Sequence, residues 1–290
     1  MLDEAKMRRL AMIQYTYTIA VDQCQKPEPL NMVALLLFHD AVELFLMLAS
    51  EHLHAGKVGK EFLAYWEPIN QKLPGHDFGH KDSMGRLSAA RANWKHHGIC
   101  ISTTEMGDFR KNVADFFRDN TSKVFGIAFE AISMAMLVQS EEVRNRLTEA
   151  ERLSSVGEIK AAIRETAIAF QDLLHQFDWR VRAQNSLHTK ELTRRIFSRI
   201  ERAAPKELSR FAEEIEKEIT ALHEQVKLLS VGIDYRRYVR FRELTPIAHL
   251  MMDGHYETVD IGHGQSHQEY LFCYHFVIEC ALRLQEIQFS

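Results

Sequence analysis

Four cysteines in 290 residues, Cys24, Cys100, Cys273 and Cys280, are too few and too scattered for a disulfide scaffold or a zinc ribbon. Such sparse usage fits a reducing compartment, and a cytoplasmic protein is expected. A basic excess is lacking as well: 36 Lys and Arg stand against 40 Asp and Glu, a net charge of -4. That balance excludes a chain coated in positive surface for indiscriminate nucleic-acid binding, so any RNA contact has to rest on local patches. No internal repeat and no low-complexity segment is present. The opening Met1-Leu-Asp-Glu-Ala-Lys6 has none of the features of an export signal. The one long apolar run, Leu30 to Leu53, carries His39, Asp40 and Glu43 near its middle. Each carboxylate there would cost about 2.5 to 3.5 kcal/mol in a bilayer. A central helix of a bundle, apolar on nearly all sides, is expected instead of a membrane span.

Helical periodicity fills most of the chain, and an all-α fold is expected. Leu10, Ile13, Tyr17, Ala20 and Cys24 recur every three or four residues and stop before Pro27-Glu-Pro29. After the buried second helix, a third is expected over Lys57 to Leu73, closed by Pro74-Gly75. Ser83 is the expected N-cap of a fourth, which Gly98 ends. Ser102-Thr-Thr-Glu105 has the capping-box pattern, so a fifth helix should run toward Lys123, followed by an apolar helix from Ile127 to Val138.

After Gln139 the composition changes to dense alternating charge, which divides the chain into a bundle over 1–139 and a second helical domain over 140–290. Helices are expected there over about 141–152, 158–180 and 188–202, and one opens at Pro205. In that last helix Leu208, Phe211, Ile215, Ile219, Leu222, Val226 and Leu229 form a single apolar seam, which must bury against its own domain or a second subunit. Met252 to Gly264 reads as a short hairpin or irregular loop, and Gln265 to Ile287 as the final helix.

The chemistry concentrates in Arg91-Ala-Asn-Trp-Lys-His96, followed by His97 and Gly98. An arginine holds a phosphate bidentately, and a histidine exchanges protons near neutral pH. Together they are the parts of a phosphodiester-cleaving site that needs no metal. Arg91 and His96 nevertheless lie roughly 140° apart on an ideal helix. Either the turn at His96 departs from helix geometry, or two subunits combine their motifs. The plainer alternative is an exposed helix end whose cations complement the helix dipole.

This R-x4-H segment, with Asn93 inside it, resembles the motif of the HEPN family of small helical ribonucleases and nucleotide-binding domains. The upstream Leu35-Leu-Leu-Phe-His-Asp-Ala-Val-Glu-Leu-Phe45 is similar to that family's core helix, with Met47 where a Lys is often seen. The resemblance spans roughly the first 140 residues, a usual domain size. It implies a homodimer with a composite cleft and a metal-independent endoribonuclease. His96 would act as general base toward a ribose 2'-hydroxyl, Arg91 would stabilise the pentacoordinate phosphate, and Asn93 would orient the phosphate or the imidazole. Lys95 and His97 would assist as phosphate contact or acid, and Glu43 would support Arg91 or His96. Such proteins often serve as toxins or antiphage effectors.

Other clusters weigh less. His76 with His80, and His263 with His267, have i, i+4 spacing but lie in or beside glycine-containing loops with no obvious third ligand, so no metal and no cofactor is expected. Arg236, Arg237, Tyr238 and Arg240 interleave cations with aromatics as an RNA-contacting segment would, though Tyr238, Phe241 and Leu244 equally fit a core stripe. The rival to a nuclease is a non-catalytic helical module that binds a nucleotide or a partner protein, and the C-terminal helices are the expected dock for such a partner.

Overall fold

The computed structural model describes residues 2–56, 61–184 and 228–287, apart from 252, 260 and 261, together with scattered positions between 214 and 226. The fold is all-α, with one two-stranded hairpin among the described residues, and it divides into two compact units, Met1–Leu137 and Val138–Ser290.

The first unit is built from α1 (Glu4–Cys24), α2 (Val33–His52), α3 (Trp66–Lys72), α4 (Lys81–His97) and α5 (Thr103–Phe125). Helix α1 begins where Asp3 accepts the Lys6 amide at 2.8 Å, satisfying one of the N–H groups a helix start leaves free. Arg9, early in α1, meets Glu51, late in α2, at 2.6 Å, so the two helices run antiparallel. Helix α2 is the centre of the unit. Leu35, Phe38, Val42, Phe45, Leu46 and Ala49 are fully buried, and α1, α4 and α5 all pack against it. By length and apolarity alone Leu30–His52 could cross a membrane, and 61% of its most apolar window is buried inside the protein. Helix α5 starts with the full capping box, the Glu105 amide donating to Ser102 Oγ and Ser102 N–H to the Glu105 carboxylate. Its Phe116 and Phe117 meet Phe45 edge-on at 5.3 and 5.6 Å, the favourable geometry for aromatic quadrupoles.

Three expectations for this unit are corrected. The third helix is short: a 3-10 turn over Phe62–Tyr65 precedes α3, and 57–60 lie outside the described residues. Pro68 explains the late start, since a proline lacking N–H is tolerated only in the first turn. Ser83 does not cap α4. His80 occupies the N-cap position in the left-handed conformation (φ 69°) without a side-chain capping bond, while the Ser83 hydroxyl donates back to the His80 carbonyl. The apolar stretch after Gly126 forms two 3-10 turns, Phe129–Ala131 and Met134–Leu137, not a helix. There Phe129 stacks on Phe117 at 4.4 Å, and its carbonyl accepts from Gln14 Nε2 as well as from the Ile132 amide of the turn.

The second unit comprises α6 (Glu141–Ser155), α7 (Ile159–Gln184), α8 (Tyr235–Leu244), β1 (Ile247–Leu250), β2 (Tyr256–Val259) and α9 (His267–Ile287). Phe170, Phe241 and Phe276 pack together where α7, α8 and α9 meet. The strands flank Met252 instead of following it, pairing antiparallel with Ile247 opposite Val259 and Leu250 opposite Tyr256. The Tyr256 hydroxyl donates to Asp172 at 2.6 Å, anchoring the hairpin to α7. Gly262 and Gly264 are needed where the chain doubles back, because a Cβ on either would lie within 2.8 Å of α8 atoms or of Ile163. The helix expected over 188–202, and Leu208 and Phe211 of the apolar seam, lie outside the described residues. Of the rest of the seam, Ile215 and Ile219 are half-buried and Leu222, Val226 and Leu229 are more than half exposed, while Leu228, which is not part of the seam, is buried.

Candidate functional site

Helix α4 presents Met84, Leu87 and Arg91 at spacings of three and four residues, and the first two are fully buried. Arg91 therefore continues the stripe that packs on α2. Its Nε is buried and has no hydrogen-bond partner among the described residues. Arg91 as a whole is half-buried, and a buried N–H left without a partner is costly, so the Nε is a place where an outside acceptor would be favourable.

Opposite Arg91, α2 contributes His39, Asp40 and Glu43. His39 is 4% exposed, and its ring stacks on Phe62 at a centroid distance of 4.2 Å. Burial lowers the His39 pKa below the ordinary value, and the Arg91 charge lowers it further, while Glu43 and Asp40 pull the other way. The imidazole is therefore neutral at pH 7. Its Nδ1 lies 3.7 Å from Asp40 Oδ1 and 3.8 Å from Glu43 Oε2, beyond hydrogen-bonding range. Both carboxylates reach solvent, with 51% and 41% of their side chains exposed.

The remaining motif residues follow Arg91 in the last two turns of α4. Asn93, Lys95, His96 and His97 are exposed, and Trp94 is half-buried. The helix stays regular through His97 and ends at Gly98 in the left-handed conformation, whose amide donates to the Trp94 carbonyl at 2.9 Å. No distortion at His96 turns it toward the Arg91 face. Within one chain the two side chains leave the helix about 140° apart. Glu43, expected to support Arg91 or His96, lies beside His39 on the Arg91 side.

His39 was not among the expected site residues. The signal was its i, i+4 spacing to Glu43 within an apolar helix, which reads more readily as core.

The other clusters separate. His76 Nδ1 lies 2.9 Å from the Asn70 carbonyl and His80 Nε2 2.9 Å from Asp119, so the two rings serve different partners. His267 Nδ1 faces Ser154 Oγ at 3.1 Å, and His263 is exposed. On α8, Arg237 is paired with Glu279, and the Arg240 guanidinium lies over the Phe272 ring at 5.0 Å. Tyr238 packs toward Phe170 beside the fully buried Phe241, as a core stripe requires. Of the four residues expected to touch RNA there, Arg236 is exposed and in no ion pair among the described residues.

No known family, curated protein or solved structure matches this chain.

Proposed function

We propose that this protein is a cytoplasmic, metal-independent endoribonuclease of HEPN type that acts as a homodimer, in the manner of a toxin or antiphage effector. The observation that carries the proposal is Arg91, whose buried Nε lacks a partner while an exposed imidazole, His96, ends the same helix. An anionic phosphate satisfies the first, and solvent access allows the second to exchange protons.

In the proposed reaction, His96 of one subunit removes the proton of a ribose 2'-hydroxyl. The 2'-oxygen attacks the adjacent phosphorus, and the 5'-oxygen departs with a proton delivered by Lys95 or His97. The products are a 2',3'-cyclic phosphate and a 5'-hydroxyl end. Arg91 of the other subunit neutralises the charge that accumulates on the phosphorane oxygens, where a positioned donor is worth most. Asn93, exposed one turn before His97, orients the phosphate. A non-catalytic binding module would need no proton exchange, and the exposure of His96 favours the nuclease over it.

The test is cleavage of a defined single-stranded RNA, with the 3' end of the product analysed by mass spectrometry. A cyclic phosphate, and its loss in Arg91→Ala and in His96→Ala, is the expected result. Undiminished cleavage in both variants would overturn the assignment.

A further inference from the structure

We infer that His39, Asp40 and Glu43 form a binding site for a divalent transition-metal ion of the Zn2+ type. This inference does not rest on RNA cleavage, and the ion takes no part in the reaction proposed above.

One nitrogen and two carboxylate oxygens from these residues lie within 4.8 Å of one another. Zinc binds histidine nitrogen at about 2.0 to 2.1 Å and carboxylate oxygen at about 2.0 to 2.2 Å. Two donors sharing one ion are then about 3.4 Å apart at a tetrahedral angle and about 4.2 Å apart when opposite. The distances from Nδ1, 3.7 Å to Asp40 and 3.8 Å to Glu43, fall between these limits. They are too long for an imidazole N–H to bond to either oxygen, and a single ion bridges them. Closing the widest separation needs only a small movement of side chains that are half in solvent.

The buried histidine points to a ligand independently of the acidic pair. His39 is almost wholly enclosed, yet among the described residues its Nδ1 has no hydrogen-bond partner, and it faces the two carboxylates. A neutral imidazole offers a lone pair there, and the stacked Phe62 ring holds its plane. Because both acids reach solvent, an ion can enter and keep water in its remaining positions. An imidazole ligand selects zinc-like ions over Mg2+ and Ca2+, which prefer oxygen donors alone. Arg91 is the opposing charge nearby. Two carboxylates outweigh that single cation.

The full-length protein, stripped with chelator and dialysed, is to be titrated with ZnCl2 by calorimetry and melted with and without the metal. The expected result is one saturable equivalent per chain with a raised melting temperature, since a ligand of the folded state alone stabilises it. In Asp40→Asn/Glu43→Gln affinity should fall at least about tenfold, as even loss of an outer-shell partner costs about 10- to 100-fold, and in His39→Gln the equivalent should vanish. Absence of binding, or binding unchanged in the carboxylate variant, would overturn the site. Should His39→Gln fail to fold, the carboxylate variant decides alone, because its positions are on the surface. RNA cleavage enters neither readout, so this site and the nuclease proposal fail separately.

Discussion

Arg91 on α4 depresses the basicity of His39 on α2, adding to the effect of burial. Asp40 and Glu43 act on His39 in the opposite sense, from 3.7 and 3.8 Å, beyond hydrogen-bonding range of its Nδ1.

Replacing Arg91 by Met should therefore raise the His39 pKa toward its ordinary 6.5, as read from ring resonances in an NMR pH titration. A histidine depressed in the folded state takes up its proton later than in the unfolded chain. Its contribution to stability is then complete above about pH 6.5 and is lost as pH falls toward the folded value. The Arg91→Met variant should lose less stability on acidification than the parent, and at pH 7 it should be no less stable. An unmoved His39 titration would show that Arg91 does not act on it.

A site shared between two subunits, as proposed, carries a prediction of its own. Arg91→Ala and His96→Ala should each be inactive alone, yet subunit exchange between them should restore activity. In a two-fold dimer each mixed pair retains one intact site, so recovery to about a quarter of the parent rate is expected. No recovery, with exchange verified by native mass spectrometry, would mean that both groups act from one chain.

In the second unit, burial pushes His275 down to about 4 from 6.5, assisted by the charge of Arg237. The sign is the same: stability is complete above about pH 6.5 and is lost progressively down to about pH 4. The window corresponds to about 3 kcal/mol at 1.36 kcal/mol per pH unit. His275→Gln should flatten chemical denaturation midpoints across that range, while an unchanged slope would locate the acid sensitivity elsewhere.

Removing the capping box with Ser102→Ala should cost about 1 kcal/mol in urea unfolding. Phe116→Ala, which strips a fully buried ring from contacts with Phe45, Phe78 and Trp66, should cost about 3 to 5 kcal/mol. A smaller loss at Phe116 than at Ser102 would contradict the packing described.

Helices whose ends are marked by local chemistry were readable in advance: α1 from its periodicity up to the proline pair, α5 from Ser102 and Glu105, and the end of α4 from Gly98. Expectations failed where distant parts of the chain decide. Phe129 is taken out of a helix by Gln14 and Phe117, and α4 begins at a left-handed His80 that Asp119 holds from α5. The candidate site divides in the same way. Arg91 and His96 stand out as a local pattern, whereas His39 acquires its character from enclosure and from a neighbouring helix, neither of which is written in adjacent residues.

The attachment of His80 to Asp119 has one more effect. Next to it, the Gly79 amide donates to Asn120 and the Gly79 carbonyl accepts from Trp66, so the root of α4 is fastened to two other helices about three turns before Arg91. A rigid rod magnifies any tilt at its base. The aim of the guanidinium is thus inherited from a joint about three turns away, and damage to that joint would displace Arg91 without altering it.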